Sequence, residues 1–105
     1  MTFIRRILLA SLKEPKTLDE RFIKLNEEVG EIAVAILNFR GLKNTTQTKK
    51  EIKENILEEI CDSLIVLISM ASSHKFTENQ IHKMIDKKLD KWKAKLGNKK
   101  EIKRK

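Results

Sequence analysis

The sequence predicts an all-α protein of four helices. Three observations carry that reading: three capping boxes, apolar residues at helical spacing behind each box, and a composition poor in strand formers. Aromatic residues make up 5% of the 105 residues and charged residues 36%, with three Gly and one Pro. Sheets favour more aromatic and β-branched surface than this chain offers.

The first helix is expected over 3–13. Pro15, with its fixed φ and no N–H, separates it from the second. Its run Ile4-Arg5-Arg6-Ile7-Leu8-Leu9 faintly imitates a secretion signal, but Lys13-Glu14 interrupt it and no clear small-residue cleavage site follows. A short amphipathic helix is the preferred reading. The second helix is expected over 18–40, opened by Thr17-Leu18-Asp19-Glu20 and stopped at Gly41. Thr48-Lys49-Lys50-Glu51 opens the third, over 49–73, and Thr77-Glu78-Asn79-Gln80 opens the fourth, over 78–96. In each box the Thr oxygen can accept from a first-turn N–H while the Glu or Gln reaches back to the cap. Residues 97–105 lack an apolar stripe and read as a disordered basic tail, leaving 1–96 as a single domain.

The net charge of +8 is unevenly placed. Residues 91–105 hold eight Lys or Arg and one Glu, a net of +7, which leaves +1 for residues 1–90. A short basic tail is usually a solvated end; attraction to phosphate or nucleic acid is the other reading. The single Cys61 cannot form an internal disulfide, which fits a reducing cytoplasm. No stretch approaches the roughly 18 apolar residues of a membrane span, so no membrane partner is expected. A chain this short buries a modest core, so self-association would help it.

Chemistry enters with two carboxylate pairs, Glu28/Glu31 within Glu27-Glu28-Val29-Gly30-Glu31 and Glu59/Asp62 within Glu59-Ile60-Cys61-Asp62. Residues at i and i+3 share a helix face, so each pair aims its oxygens one way. On the second helix Phe22, Leu25, Val29, Ile32, Ala33 and Ile36 form an apolar stripe, and Glu28 falls between Ala35 and Ile32. On the third, Ile52, Ile56, Ile60, Val66, Leu67 and Met70 do the same, and Glu59 falls between Val66 and Ile52 while Glu58 projects away. Solvent-facing salt bridges are the ordinary fate of Glu on Lys-rich helices. Acids within apolar stripes, with no obvious basic partner in those stripes, point instead to a divalent cation, with Mg2+ as the best match to oxygen ligands.

Register supports a shared site. About seven residues join the second and third helices, which predicts an antiparallel central hairpin. Glu31 lies nine residues before Arg40 and Glu59 ten residues after Lys49. At about 1.5 Å per residue both pairs sit roughly 14–15 Å from the loop end, and therefore level with each other. Axes about 8–10 Å apart suit one or two cations bridged by carboxylates.

Lys24-Leu25-Asn26-Glu27-Glu28-Val29-Gly30-Glu31 resembles the EExxE segment of MazG-like, all-α nucleoside triphosphate pyrophosphohydrolases. Glu58-Glu59-Ile60-Cys61-Asp62-Ser63-Leu64 resembles the ExxD segment of the same family, and the likeness covers roughly 18–95. The resemblance implies a four-helix MazG-like bundle that holds Mg2+, with Mn2+ as a substitute, and cleaves a nucleoside triphosphate to monophosphate and pyrophosphate. It implies Glu28, Glu31, Glu59 and Asp62 as metal ligands, Glu27 as a supporting or water-orienting residue, and a homodimer or homotetramer. Lys24, Lys83, Lys87 and Lys88 are candidates for the substrate phosphates, although the last helix resembles the family's basic helix only loosely. Trp92 could stack on a base or pack at a helix end or dimer interface.

Other groups carry less. His74 and His82 have no metal-like spacing and read as surface or helix-end residues, and Cys61 reads as a small core residue. The run Leu64-Ile65-Val66-Leu67-Ile68 makes the third helix apolar around nearly its whole circumference, which predicts more than one packed neighbour. Two rivals stand beside the hydrolase. One is a non-enzymatic helical module that binds nucleic acid through the basic tail, with salt-sensitive binding and no metal dependence. The other keeps the fold but acts on a phosphoribosyl nucleotide, which the acids alone do not distinguish.

Overall fold

The computed structural model describes residues 2–41 and 46–104, with side chains as far as Gly97. Four helices account for its regular structure: α1 (Phe3–Leu12), α2 (Leu18–Phe39), α3 (Lys49–Ser72) and α4 (Glu78–Arg104), with no strand among the described residues. The chain divides into two compact units, Met1–Lys75 and Phe76–Lys105. No helix among the described residues is long and apolar enough to cross a membrane.

The caps explain the boundaries. Thr17 and Thr48 form complete capping boxes with Glu20 and Glu51. Thr77 and Gln80 make the same reciprocal pair, with the Thr77 N–H donating to Gln80 Oε1 at 2.8 Å and the Gln80 N–H to Thr77 Oγ1 at 3.2 Å. A further cap lies at Thr2, whose hydroxyl accepts from the Arg5 N–H. Each such cap satisfies a donor that the first helical turn would otherwise leave unpaired. Gly41 follows α2 with φ of 72°, the left-handed conformation that favours glycine.

Helix α4 differs from expectation. It runs through Gly97 to Arg104 rather than ending near residue 96. The Lys- and Glu-rich sequence has good helix propensity, and one interior Gly costs only about 1 kcal/mol. Whether the tail's side chains find partners lies outside the described residues.

Within the first unit α2 and α1 both pack against α3. The residues α2 buries are Arg21, Glu28 and Ala35, spaced seven apart, with Leu25 and Ile32 half-buried between them. The expected stripe is therefore rotated. Phe22, Val29 and Ile36 are exposed on α2, as are Ile60 and Leu67 on α3, while Ile52 is buried and Ile56, Val66 and Met70 are half-buried. Sequence periodicity merged two neighbouring apolar faces of each helix, and α2–α3 packing covers only one of them. Cys61 is likewise exposed rather than in the core. Leu64, Ile65 and Leu67 remain exposed, so the apolar run of α3 is only partly covered within its unit.

Helix α1 buries Ile4, Leu8 and Ser11, an i, i+4, i+7 face. Ile4 and Leu8 each contribute about 1.5–3 kcal/mol by leaving water. The joint between α1 and α2 is polar. Arg21 is only 4% exposed, and its Nη2 donates to the Ser11 carbonyl at 2.9 Å and the Glu14 carbonyl at 3.1 Å. Each of these carbonyls also accepts a backbone N–H, Ser11 from Glu14 and Glu14 from Lys16, and a cation at the end of α1 complements the helix dipole.

That joint gives a direct test. Arg21→Ala removes two charge-assisted bonds from a buried place and is expected to destabilise the fold by about 2 kcal/mol. Urea unfolding should show a lower midpoint in the variant, with Arg21→Lys between the two. An unchanged midpoint would mean that Arg21 does not hold α1 in place.

Candidate metal centre

Glu28 and Glu31 project from the middle of α2, and Glu59 and Asp62 from the middle of α3. Packing of the two helices brings one oxygen each of Glu28, Glu59 and Asp62 within 4.8 Å of one another. Glu28 is 7% exposed, Glu59 and Asp62 are half-buried, and Glu31 lies exposed at the rim. Three of the four expected acids thus converge closely, and the fourth reaches them through Glu59. Glu58 is exposed, as its position one residue off the seam requires.

Two oxygens of this group are both buried and without a hydrogen-bond donor, Glu28 Oε2 and Glu59 Oε2. A buried carboxylate oxygen without a donor is costly, and two beside each other repel as well. Protonation of Glu59 relieves part of this. The hydrogen bond with Glu31, together with burial and the charges of Glu31, Asp62 and Glu28, raises the Glu59 carboxyl from 4.5 to about 7. A divalent cation satisfies the same need more completely. Oxygen ligands from three or four carboxylates suit a hard cation such as Mg2+, which also keeps several waters.

Lys24 corrects the expectation that the acids lack a basic partner. Its Nζ lies 3.1 Å from Glu28 Oε1 and 3.7 Å from Glu27 Oε2. The hydrogen bond to Glu28, followed by that carboxylate's charge, raises the Lys24 pKa above 10.5. The i, i+4 spacing carries this pair and was readable from sequence. Lys24 occupies one oxygen of Glu28 and leaves Oε2 unpaired. Glu27 is exposed, facing Lys24 rather than the converging oxygens.

The other sequence candidates belong to the second unit. Lys83, Lys87 and Lys88 are exposed on α4, as is Trp92. His82 is exposed there, with Nε2 3.6 Å from Glu78 Oε1, whereas His74 lies in the first unit, exposed just after α3. Residues that sequence reasoning did not single out are Arg21, whose burial no apolar pattern announces, and the buried Ser11, Ser63, Ser69 and Ser72. Ser11, Ser69 and Ser72 donate to a preceding carbonyl of their own helix while Ser63 Oγ is buried without a partner, and none carries a sequence signal beyond its helical position.

The raised Glu59 carboxyl predicts a pH dependence. A folded-state pKa above the unfolded value means that the folded chain binds the extra proton. The resulting stability is present in full below about 4.5 and is lost as pH rises to about 7. In the presence of a chelator, urea midpoints should therefore fall between pH 5 and pH 8. Glu59→Gln should remove much of that fall. An equal slope in both proteins would mean that Glu59 is not the titrating group.

Comparison of the chain with protein-family models, curated proteins and solved structures finds no match.

Proposed function

We propose that this chain is a Mg2+-dependent nucleoside triphosphate pyrophosphohydrolase of the MazG-like, all-α type. One observation carries the reading: carboxylates of Glu28, Glu59 and Asp62 converge within 4.8 Å around buried oxygens that no donor satisfies. The motif order, EExxE on α2 and ExxD on α3, agrees with the resemblance. In this reading α2 and α3 are the antiparallel central hairpin of a MazG-like bundle.

Glu28, Glu59 and Asp62 would hold Mg2+, with Glu31 completing the set from the rim; Mn2+ would substitute. When bound, the cation supplies phosphate charge neutralisation and a lowered pKa for coordinated water. The remaining work falls to the chain. Glu27, exposed beside Lys24, orients an attacking water toward the phosphorus that joins the nucleoside to the departing pyrophosphate. The bond from that phosphorus to the bridging oxygen of the pyrophosphate breaks, the water oxygen stays on the monophosphate, the proton it sheds passes to solvent, and pyrophosphate leaves. Lys24 exchanges part of its contact with Glu28 for a phosphate oxygen.

Exposed apolar side chains give the reading its assembly. Phe22, Val29 and Ile36 on α2 and Ile60, Leu64 and Leu67 on α3 form more apolar surface than a short chain ordinarily leaves in water. A homodimer, or a homotetramer built from it, covers this surface. The lone Cys61 accords with a cytoplasmic enzyme.

Mg2+ should switch on release of pyrophosphate from triphosphates, and chelation should stop it; orthophosphate as first product would refute the mechanism. Glu59→Gln should lower turnover by about 100-fold or more, whereas Glu58→Gln should keep most of it. Equal activity in the two variants would mean that Glu59 is not a ligand. Light scattering at micromolar concentration should show at least a dimer, and a fully active monomer would overturn the assembly.

A further inference from the structure

Helix α4 carries two unlike faces. Residues 78–105 hold eleven Lys or Arg and four acids, a net of +7 within the chain's +8. Ile81, Ile85, Leu89, Trp92 and Leu96 recur at spacings of four and three, which lays an apolar stripe along one side. Lys83, Lys87, Lys91 and Lys95 recur every four residues on another side, with Lys88 beside them. All five lysines are exposed. Among the described residues α4 has one ion pair, between His82 and Glu78, and it involves none of these lysines.

At about 100° per residue, Lys83 and Lys87 stand roughly 160° from the middle of the stripe, and the row then slants toward Lys95 at the stripe's edge. Gln80, Met84 and Ala94 share the lysine face, and Asp90 borders it. A protein surface that covers the stripe therefore leaves most of the row facing outward.

The row selects its ligand by length. Four residues rise about 6 Å, so Lys83 to Lys95 spans roughly 18 Å. A triphosphate reaches only neighbouring members. A polymer with a charge about every 1.7 Å of its axis, as duplex DNA has, reaches all four. Lysine is a point charge that suits phosphate without fixing a base edge. Proteins that hold single strands stack the bases on aromatic side chains, and the lysine face has none, since Trp92 lies in the stripe. A lipid surface would meet the stripe and its edges, where Asp86 accompanies Lys88 and Lys93, and would miss Lys83 and Lys87. Anchors for a protein partner are chiefly aromatic or Arg, and this face offers Met84 alone among large apolar side chains.

We propose that the lysine row of α4 binds the phosphate backbone of duplex nucleic acid without reading its sequence. This is a second function of the chain, carried by α4 and independent of metal. Phosphate contacts position a protein on a duplex and make its affinity depend on salt. In the sequence, Lys99 and Lys103 continue the four-residue spacing.

The experiment is fluorescence anisotropy of the full chain with labelled random-sequence DNA duplexes of about 20 base pairs, with a chelator present, from about 50 to 200 mM salt. The logarithm of the association constant should fall with that of salt at a slope of about −3.6 or steeper, which is about −0.9 for each of four phosphates. Replacing Lys83, Lys87, Lys91 and Lys95 by Gln should flatten the slope by about 3 and weaken binding by about tenfold or more at the lowest salt. Gln is a good helix former, so circular dichroism should stay that of the parent. Lys87→Gln with Lys91→Gln should give about half the flattening. Replacing the exposed Lys13, Lys49, Lys50 and Lys53 by Gln removes the same charge and should change the slope by less than about 1. AT-rich and GC-rich duplexes should bind within about tenfold of each other. No binding at the lowest salt, equal loss in the two fourfold variants, or a wider spread between duplexes would each overturn the proposal. Tighter association with phosphatidylserine vesicles than with duplex would overturn it in favour of a lipid surface. Pyrophosphate release without duplex binding would reject the row and keep the hydrolase, and duplex binding without release would do the reverse.

Discussion

The seam between α2 and α3 is organised by the cost of placing carboxylates together out of water. Glu28 is buried, Glu59 and Asp62 are half-buried, and their oxygens converge. Such a group persists only if something positive stands among or beside it. Lys24 takes one oxygen of Glu28 from the α2 side, and a proton takes part of Glu59 below about pH 7. Two buried oxygens still lack a donor. The packing of the two helices therefore stores repulsion at mid-length, and a divalent cation is the simplest species that would release it. Capping boxes at the starts of α2 and α3, and the Arg21 joint, hold the helices in place around this unfavourable centre.

Much of this architecture was legible because it is local. Thr17, Thr48 and Thr77 announce helix starts by the chemistry of four consecutive residues, and Gly41 a stop by its backbone freedom. The convergence of Glu28 with Glu59 and Asp62 followed from rise per residue and a short connection, which are also local quantities. What the sequence left hidden depends on rotation about the helix axis. Phe22 and Leu25 lie on adjoining faces of α2, and periodicity alone did not say which would meet α3. Cys61 was misplaced for the same reason, since an apolar neighbourhood in sequence is not a covered neighbourhood in space. The Arg21 contacts were hidden differently. They join a side chain to carbonyls ten and seven residues earlier, across a turn whose path only the structure supplies.

The first unit combines two unlike solvents for a ligand. At the acid centre, charge is dense and negative. In the cavity between α1, α2 and α3 it is positive over apolar side chains, with Lys24 at the boundary. Neither region alone specifies a substrate class.

The seven-residue spacing of Arg21, Glu28 and Ala35 has a consequence for alignment. A guanidinium, a carboxylate and a methyl group succeed one another along the buried line of α2, and they are not interchangeable. Ala35 is 0% exposed, so its place accepts no more than a methyl group. Sliding α2 by two turns would drive the Glu28 carboxylate into that place and withdraw Arg21 from the carbonyls of α1. An all-leucine seam would gain stability but would tolerate such slippage, because each step would resemble the last. The mixed seam gives the helix pair a single alignment, the one that sets the acids level.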